Sequence, residues 1–140
     1  MNSSQETTED IPKDAYPLLG DRIQSTFIDM LFIVFCMFIL AAVLDRYEQI
    51  PDGVRAGLFI GLWVLYEPLC TSLGATIGNS IKGIRVRREG NTSKRILFPL
   101  AVVRYALKVL LGWVSFLTIH SNKERRAIHD FASGSVMIKI

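Results

Sequence analysis

The sequence predicts an all-α membrane protein, and three observations carry that prediction. Apolar residues make up 50% of the 140-residue chain, and they gather in three blocks instead of recurring at the period of a soluble helix or strand. The first block, Gln24 to Leu44, is long enough at helical rise to cross a hydrocarbon core about 30 Å thick. Cations cluster in one short loop, Lys82 to Arg95, as they do in cytoplasmic loops between spans. The net charge is only +3, so this loop reads as a membrane-side feature and not as a nucleic-acid patch. A chain of this length is one domain, with a disordered polar tail expected over residues 1–15 and a transmembrane domain over 16–140.

The tail is rich in Ser, Thr and acids and has too few apolar residues to fold. It lacks the positive start and apolar core of a cleavable signal, so the first span is expected to direct insertion. Tyr16 to Gly20 is a short apolar approach to the interface. Asp21, with Gln24 three residues on, forms a capping-box pattern that would make Arg22 the first helical residue. Arg22 and Asp29 then share one face, two turns apart. A carboxylate in a span costs up to roughly 3 kcal/mol, so Asp29 is expected to face protein or water.

Pro51-Asp52-Gly53 marks a turn, and the short loop predicts antiparallel neighbours. The second span is expected from about Ala56 to Ile77. The pairs Gly57/Gly61 and Gly74/Gly78 have the spacing that lets helices approach closely in lipid. Glu67-Pro68 falls at its middle; Pro68 removes the backbone bond to residue 64 and predicts a kink or an opening there. After it, Ile84 and Val86 alternate with Arg85 and Arg87 as in a short half-buried strand, and Glu89-Gly90-Asn91 is a turn. The basic loop places this side, and with it the N-terminus, in the cytoplasm.

The third block, Ile96 to Ile119, carries Arg104 and Lys108 one turn apart on one face. It reads either as one tilted span or as a broken, re-entrant piece that bends at Gly112-Trp113 and returns. The tail favours the return. Ser121-Asn122-Lys123-Glu124 is a capping-box pattern, and Gly134 would close the helix that it starts. Ile128, Phe131 and Ala132 form its apolar stripe, which would lie on the membrane surface. Ser135 to Ile140 reads as a second short strand. Two strands can pair only on one side of the membrane, here the cytoplasmic one.

Some chemistries find no support. No His or Cys stands at metal-ligand spacing, so neither a metal nor another cofactor is expected. Cys36 and Cys70 lie in apolar spans and are expected to pack as small apolar groups. Gly74 to Gly83 lacks phosphate-loop spacing. His129-Asp130 could suggest acid–base work, but no nucleophile stands beside the pair in sequence, and no enzymatic role is expected.

The chain resembles the RDD family of small multi-pass membrane proteins, named for an arginine and two aspartates. Arg22 and Asp29 match its first helix. Thr76-Ile77-Gly78-Asn79 and Gly83-Ile84-Arg85-Val86 match a middle signature, with Asn79 where the family has lysine. Arg104 matches a later arginine, and Arg125-Arg126, His129-Asp130 and Val136 match the ending. Asp130 would be the second aspartate. The resemblance covers residues 16–140. It implies a multi-pass protein of the bacterial cytoplasmic membrane; some members are implicated in cation/proton antiport, and others look like membrane-embedded partners of larger assemblies.

Arg22, Asp29, Glu67, Arg104 and Lys108 therefore form an expected intramembrane charged face, with Arg126, His129 and Asp130 as a C-terminal motif. Two functions suit it. In transport, Asp29 and Glu67 are exchangeable ligands for a small cation or a proton, and three spans then require an oligomer. In an adapter, the acids are fixed salt-bridge partners of Arg104 and Lys108, Arg22 reaches headgroups or Asp130, and the glycine faces dock another membrane protein. The bilayer, further copies of the chain or other membrane proteins are the expected partners; nucleic acid is not.

Overall fold

The computed structural model describes residues 11–140. The expected disordered tail lies mostly outside the described residues; at its end, Lys13–Ala15 is one 3₁₀ turn. The molecule is mostly helical, with three segments long and apolar enough to span a membrane, at Lys13–Leu44, Asp52–Leu73 and Phe98–His120, and one small sheet.

Helix α1 runs Leu19–Leu44, so the helix begins three residues before Arg22. Asp21 does cap it, but from the third helical position, where its carboxylate accepts the Leu18 N–H. Gln24 accepts instead from Lys82 Nζ. Arg22, Ser25, Asp29 and Ile33 are the buried residues of its first four turns, and their spacing puts them on one stripe. Most of the remaining apolar surface of α1 is exposed, as a lipid-facing helix requires.

Helix α2 spans Asp52–Leu73 and passes through Pro68 without a break. It has the length of the expected 56–77 span but begins and ends four residues earlier. Gly74 ends it with φ of +135°, a conformation that L side chains rarely adopt, so Gly74 is a helix terminator and not half of a packing pair. A separate short helix α3, Ile77–Ile81, follows, capped by Thr76 Oγ1 accepting the Asn79 N–H. Gly78 belongs to α3, and its packing partner is α1: a Cβ there would land on the Ser25 carbonyl. Gly57 and Gly61 touch nothing within the described chain at their Cβ positions.

The sheet has three antiparallel strands in the order β2-β1-β3, with β1 Ile84–Arg88, β2 Asn91–Arg95 and β3 Ser135–Lys139. The two expected strands do pair, Ile84 opposite Lys139 through Arg88 opposite Ser135. The third, β2, follows the Gly90 turn and pairs Arg87 with Arg95 and Arg88 with Asn91 across a bulge. Ile84, Val86, Ile96, Ala101 and Met137 make the small apolar core beneath it.

Helix α4, Phe98–Leu111, carries Pro99 in its opening turn, where a missing N–H costs nothing. At Gly112 (φ +53°, ψ −129°) the helix stops and a 3₁₀ helix, Gly112–His120, begins. Along a straight helix Arg104 and Phe116 would stand about 18 Å apart, yet both line one small cavity. The chain therefore turns back at Gly112.

The C-terminal helix α5 is shorter than expected, Ile128–Ser133, closed by Gly134 in the left-handed region. Ser121 to Glu124 is not its cap: Asn122 Oδ1 accepts the Arg126 N–H at 2.7 Å inside a turn. Phe131 of its expected apolar stripe is exposed, as a face lying on a membrane surface would be; what differs is the opposite face. His129, Asp130 and Ser133 are its buried residues, while Phe131 and Ala132 face outward. The interior that it packs against is polar.

Candidate functional site

Four segments aim charge at one place. The α1 stripe supplies Arg22 and Asp29, and α2 supplies Glu67 beside the buried Pro68. The α4 stripe supplies Arg104 and, one turn on, Lys108; α5 supplies Asp130 from its third position, where the carboxylate also accepts the Ala127 N–H at 3.0 Å. Three cations and three carboxylates thus converge, and the cations pair with two of the carboxylates.

Asp130, fully buried, is the hub. Its Oδ2 accepts from Arg22 Nη1 at 2.6 Å and its Oδ1 from Arg104 Nε at 3.0 Å. Arg104 Nη1 reaches Glu67 Oε1 at 3.4 Å, and Lys108 Nζ holds both Glu67 oxygens at 2.8 and 3.0 Å. The chain of contacts runs Arg22–Asp130–Arg104–Glu67–Lys108 without a gap. Burial pushes the Asp130 carboxyl pKa up, but the Arg22 and Arg104 guanidiniums outweigh it and hold it well below the usual carboxylate range. Arg22 also donates to the Arg125 carbonyl, which ties the foot of α1 to the C-terminal segment.

Asp29 departs from the expected salt bridge with Arg104 or Lys108. Its Oδ1 accepts from Tyr66 Oη at 2.8 Å and from the Gly78 N–H at 2.7 Å, and its Oδ2 from Thr76 Oγ1 at 2.6 Å. Three neutral donors hold it, one from α2 and two from the Thr76–Gly78 corner. Gly78 is required because only a residue without Cβ brings its N–H this close to α1. Asn79 is buried beside it and lines the same small polar cavity as Asp29, Glu67 and Arg104.

The C-terminal motif divides its work. Arg126 Nη1 and Nη2 form a two-pronged bridge to the Glu89 carboxylate at 2.6 and 2.9 Å, and its Nε donates to the Ser135 carbonyl. That locks α5 to the β1–β2 turn. His129 lies against Ser115 of the 3₁₀ helix, Nδ1 to Oγ, with Asp130 3.6 Å from Nε2. Burial and the nearby Arg104 charge push the His129 pKa down to about 3. Ser, His and Asp are in sequence of contact, but all three are sealed from solvent and the Ser115 hydroxyl also accepts the His129 N–H. The arrangement pins the returning segment onto α5; it leaves a substrate no approach to the hydroxyl.

The sequence singled out Arg22, Asp29, Glu67, Arg104 and Lys108 as one face and Asp130 as part of a separate C-terminal motif; the structure joins Asp130 to Arg22, Glu67, Arg104 and Lys108 and leaves Asp29 on neutral donors. Reading the sequence missed Tyr66, Ser115 and Met137, whose sulfur accepts from Arg104 Nη2. Tyr66 sits next to Glu67 but was not distinguishable from a packing aromatic. Ser115 gave no signal, because its partner lies on another element.

Comparison with known proteins adds one match. No curated protein and no solved structure matches the chain. The sequence pattern of the RDD family matches residues 16–134, a stretch that holds every residue of the buried network, and on that match the chain belongs to the RDD family.

Proposed function

We propose that this multi-pass membrane protein is an adapter: its charge network is a fixed clamp, and its outer helix faces dock a partner's transmembrane helix. The supporting observation is that the network is closed within one chain. Each of its cations has a carboxylate within 3.4 Å, and Asp130 serves two arginines at once. A site that exchanges cations needs a carboxylate that can let its partner go, whereas breaking a buried pair costs about 3–5 kcal/mol. Gly57 and Gly61, by contrast, have open space at their Cβ positions, one turn apart on α2, which suits close docking of another helix. That helix belongs to a second copy or to another membrane protein. The basic content of the sheet supports a cytoplasmic N-terminus, in the cytoplasmic membrane. No enzymatic role is assigned.

A second reading, cation or proton transport, draws on Asp29. It alone of the three carboxylates is held by neutral donors, and it faces the polar cavity. Reconstitution into liposomes with imposed sodium, potassium or proton gradients separates the two. The adapter reading expects no cation-coupled proton flux, and a detergent-stable association that Gly57→Leu and Gly61→Leu weaken. Flux in the wild type that Asp29→Asn or Glu67→Gln abolishes, with insertion and association unchanged, establishes transport instead.

A further inference from the structure

The sheet holds a second charge cluster, and this one is not balanced. Strand register sets Arg87 of β1 directly opposite Arg95 of β2. Like charges so placed repel, and Arg85 adds a third to the same strand. Among the described residues, no carboxylate lies within ion-pair distance of Arg85, Arg87, Arg88, Lys94 or Arg95, although every cation of the buried network has one. Burial, then the charges of Arg95 and Arg85, pull the Arg87 pKa down, the electrostatic signature of a missing counter-ion.

The two guanidiniums converge. At Gly74, the residue that caps the C-terminal end of α2, a Cβ would stand 3.7 Å from Arg95 Nε and 3.9 Å from Arg87 Nη1. Both nitrogens thus lie within 4 Å of one point at the end of a transmembrane segment. The negative end of the α2 dipole helps to hold them there, and the Gly74 carbonyl is already taken by the Val86 N–H. Arg87 Nη1 is buried with no acceptor. Depth is set by the neighbours: α2 emerges at Leu73 and α4 enters at Phe98, and Leu73, Ile77, Ile81, Leu97 and Phe98 expose apolar side chains around the cluster. Apolar residues meeting lipid at this level put the arginines among the headgroups.

We propose that Arg87 and Arg95, aided by the charge of Arg85, bind the phosphate of an anionic lipid headgroup at the end of α2. A guanidinium pair is the donor set that a phosphate accepts best, two forked donors against several oxygens. The phosphate turns the Arg87–Arg95 repulsion into two attractions. The site stands apart from the adapter reading and does not depend on it.

The test is native mass spectrometry of the purified full-length protein titrated with phosphatidylglycerol, phosphatidylcholine or inorganic phosphate. Phosphatidylglycerol adducts should persist at about a tenfold lower concentration than phosphatidylcholine adducts. Arg87→Gln with Arg95→Gln should remove that preference, while Lys94→Gln, a cation on the same strand, should keep it. Arg87→Lys with Arg95→Lys retains the charge without the fork; it should weaken the preference and guards against a simple folding defect, which melting temperature reads separately. Equal retention of the two lipids, or a preference that survives the double Gln substitution, overturns the site. Inorganic phosphate that binds with the same arginine dependence while phosphatidylglycerol does not overturns the lipid as its source.

Discussion

Asp130 shows how a residue that reads as a helix cap can be the centre of a fold. The sequence offered Arg22 as a partner for it only as an alternative to lipid headgroups; it caps α5 and pairs with both Arg22 and Arg104. Its capping position was legible, because a third-position acid after a turn is a local pattern. The choice of arginines was not, since it depends on where α1 and α4 end up. The adjacent His129 makes the cluster acid-sensitive. Its pKa is about 3 in the fold against an ordinary 6.5, so between those values the unfolded chain takes a proton that the folded chain refuses. Stability must therefore fall as pH drops through that window, by at most about 1.4 kcal/mol per pH unit. Asp130 acts in the same direction further down: its carboxylate is held below its ordinary 3.8, and the stability it contributes above that value is lost as pH falls past it. Melting temperature in detergent should decline from pH 7 to pH 4, and His129→Gln should flatten the decline. An unchanged slope in the variant would assign the acid sensitivity to another group.

At the scale of elements, periodicity was readable and orientation was not always. The α1 stripe of Arg22 and Asp29 followed from helical spacing alone. So did the alternation of Ile84 and Val86, both fully buried in β1. Helix α5 keeps Phe131 and Ala132 outward as expected, but its pattern gave no sign that His129 and Asp130 on the other face would be buried in a polar interior. Strand β2 was unreadable for a related reason, being almost wholly exposed and polar, so nothing alternated. The α1–α3 contact was half-legible. Gly78 was singled out for close approach, but to a neighbour along its own span; the break at Gly74 turned it toward Ser25 and Asp29. Gly78→Ala drives a methyl group into the Ser25 carbonyl, and backbone gives way less readily than side chain. A loss of about 1–3 kcal/mol follows, together with the Asp29–Gly78 hydrogen bond. Melting temperature reads the first. A mass-spectrometric exchange experiment on the Gly78 amide reads the second, as faster deuterium uptake. Gly57→Ala, where the added methyl meets open space, should change neither.

The whole molecule is decided by the third apolar block. Its composition allows a single span of 23 residues, Phe98–His120, and hydropathy alone cannot tell a crossing from a return. The deciding constraint is the sheet. Strand β1 precedes α4, strand β3 follows the 3₁₀ helix, and the two pair along their full length, so both ends of the block lie on one side of any bilayer that the protein occupies. Gly112 supplies the reversal, and the Ser115–His129 and Thr118–Arg126 contacts hold the returning arm against the C-terminal segment. Two complete crossings and one returning segment, the topology proposed here, would place the N-terminal segment, the sheet and the C-terminus together, with the loop from Asp45 to Pro51 alone on the far side. Single cysteines at Asp52, Asn91 and Ile140, introduced after Cys36 and Cys70 are replaced by Ala, test this with a membrane-impermeant thiol reagent on sealed vesicles. Asn91→Cys and Ile140→Cys should label from the same side and Asp52→Cys from the other. Labelling of positions 91 and 140 from opposite sides would require β1 and β3 to separate in the membrane, and the charge network, which needs Asp130 at the foot of α1, would have to come apart with them.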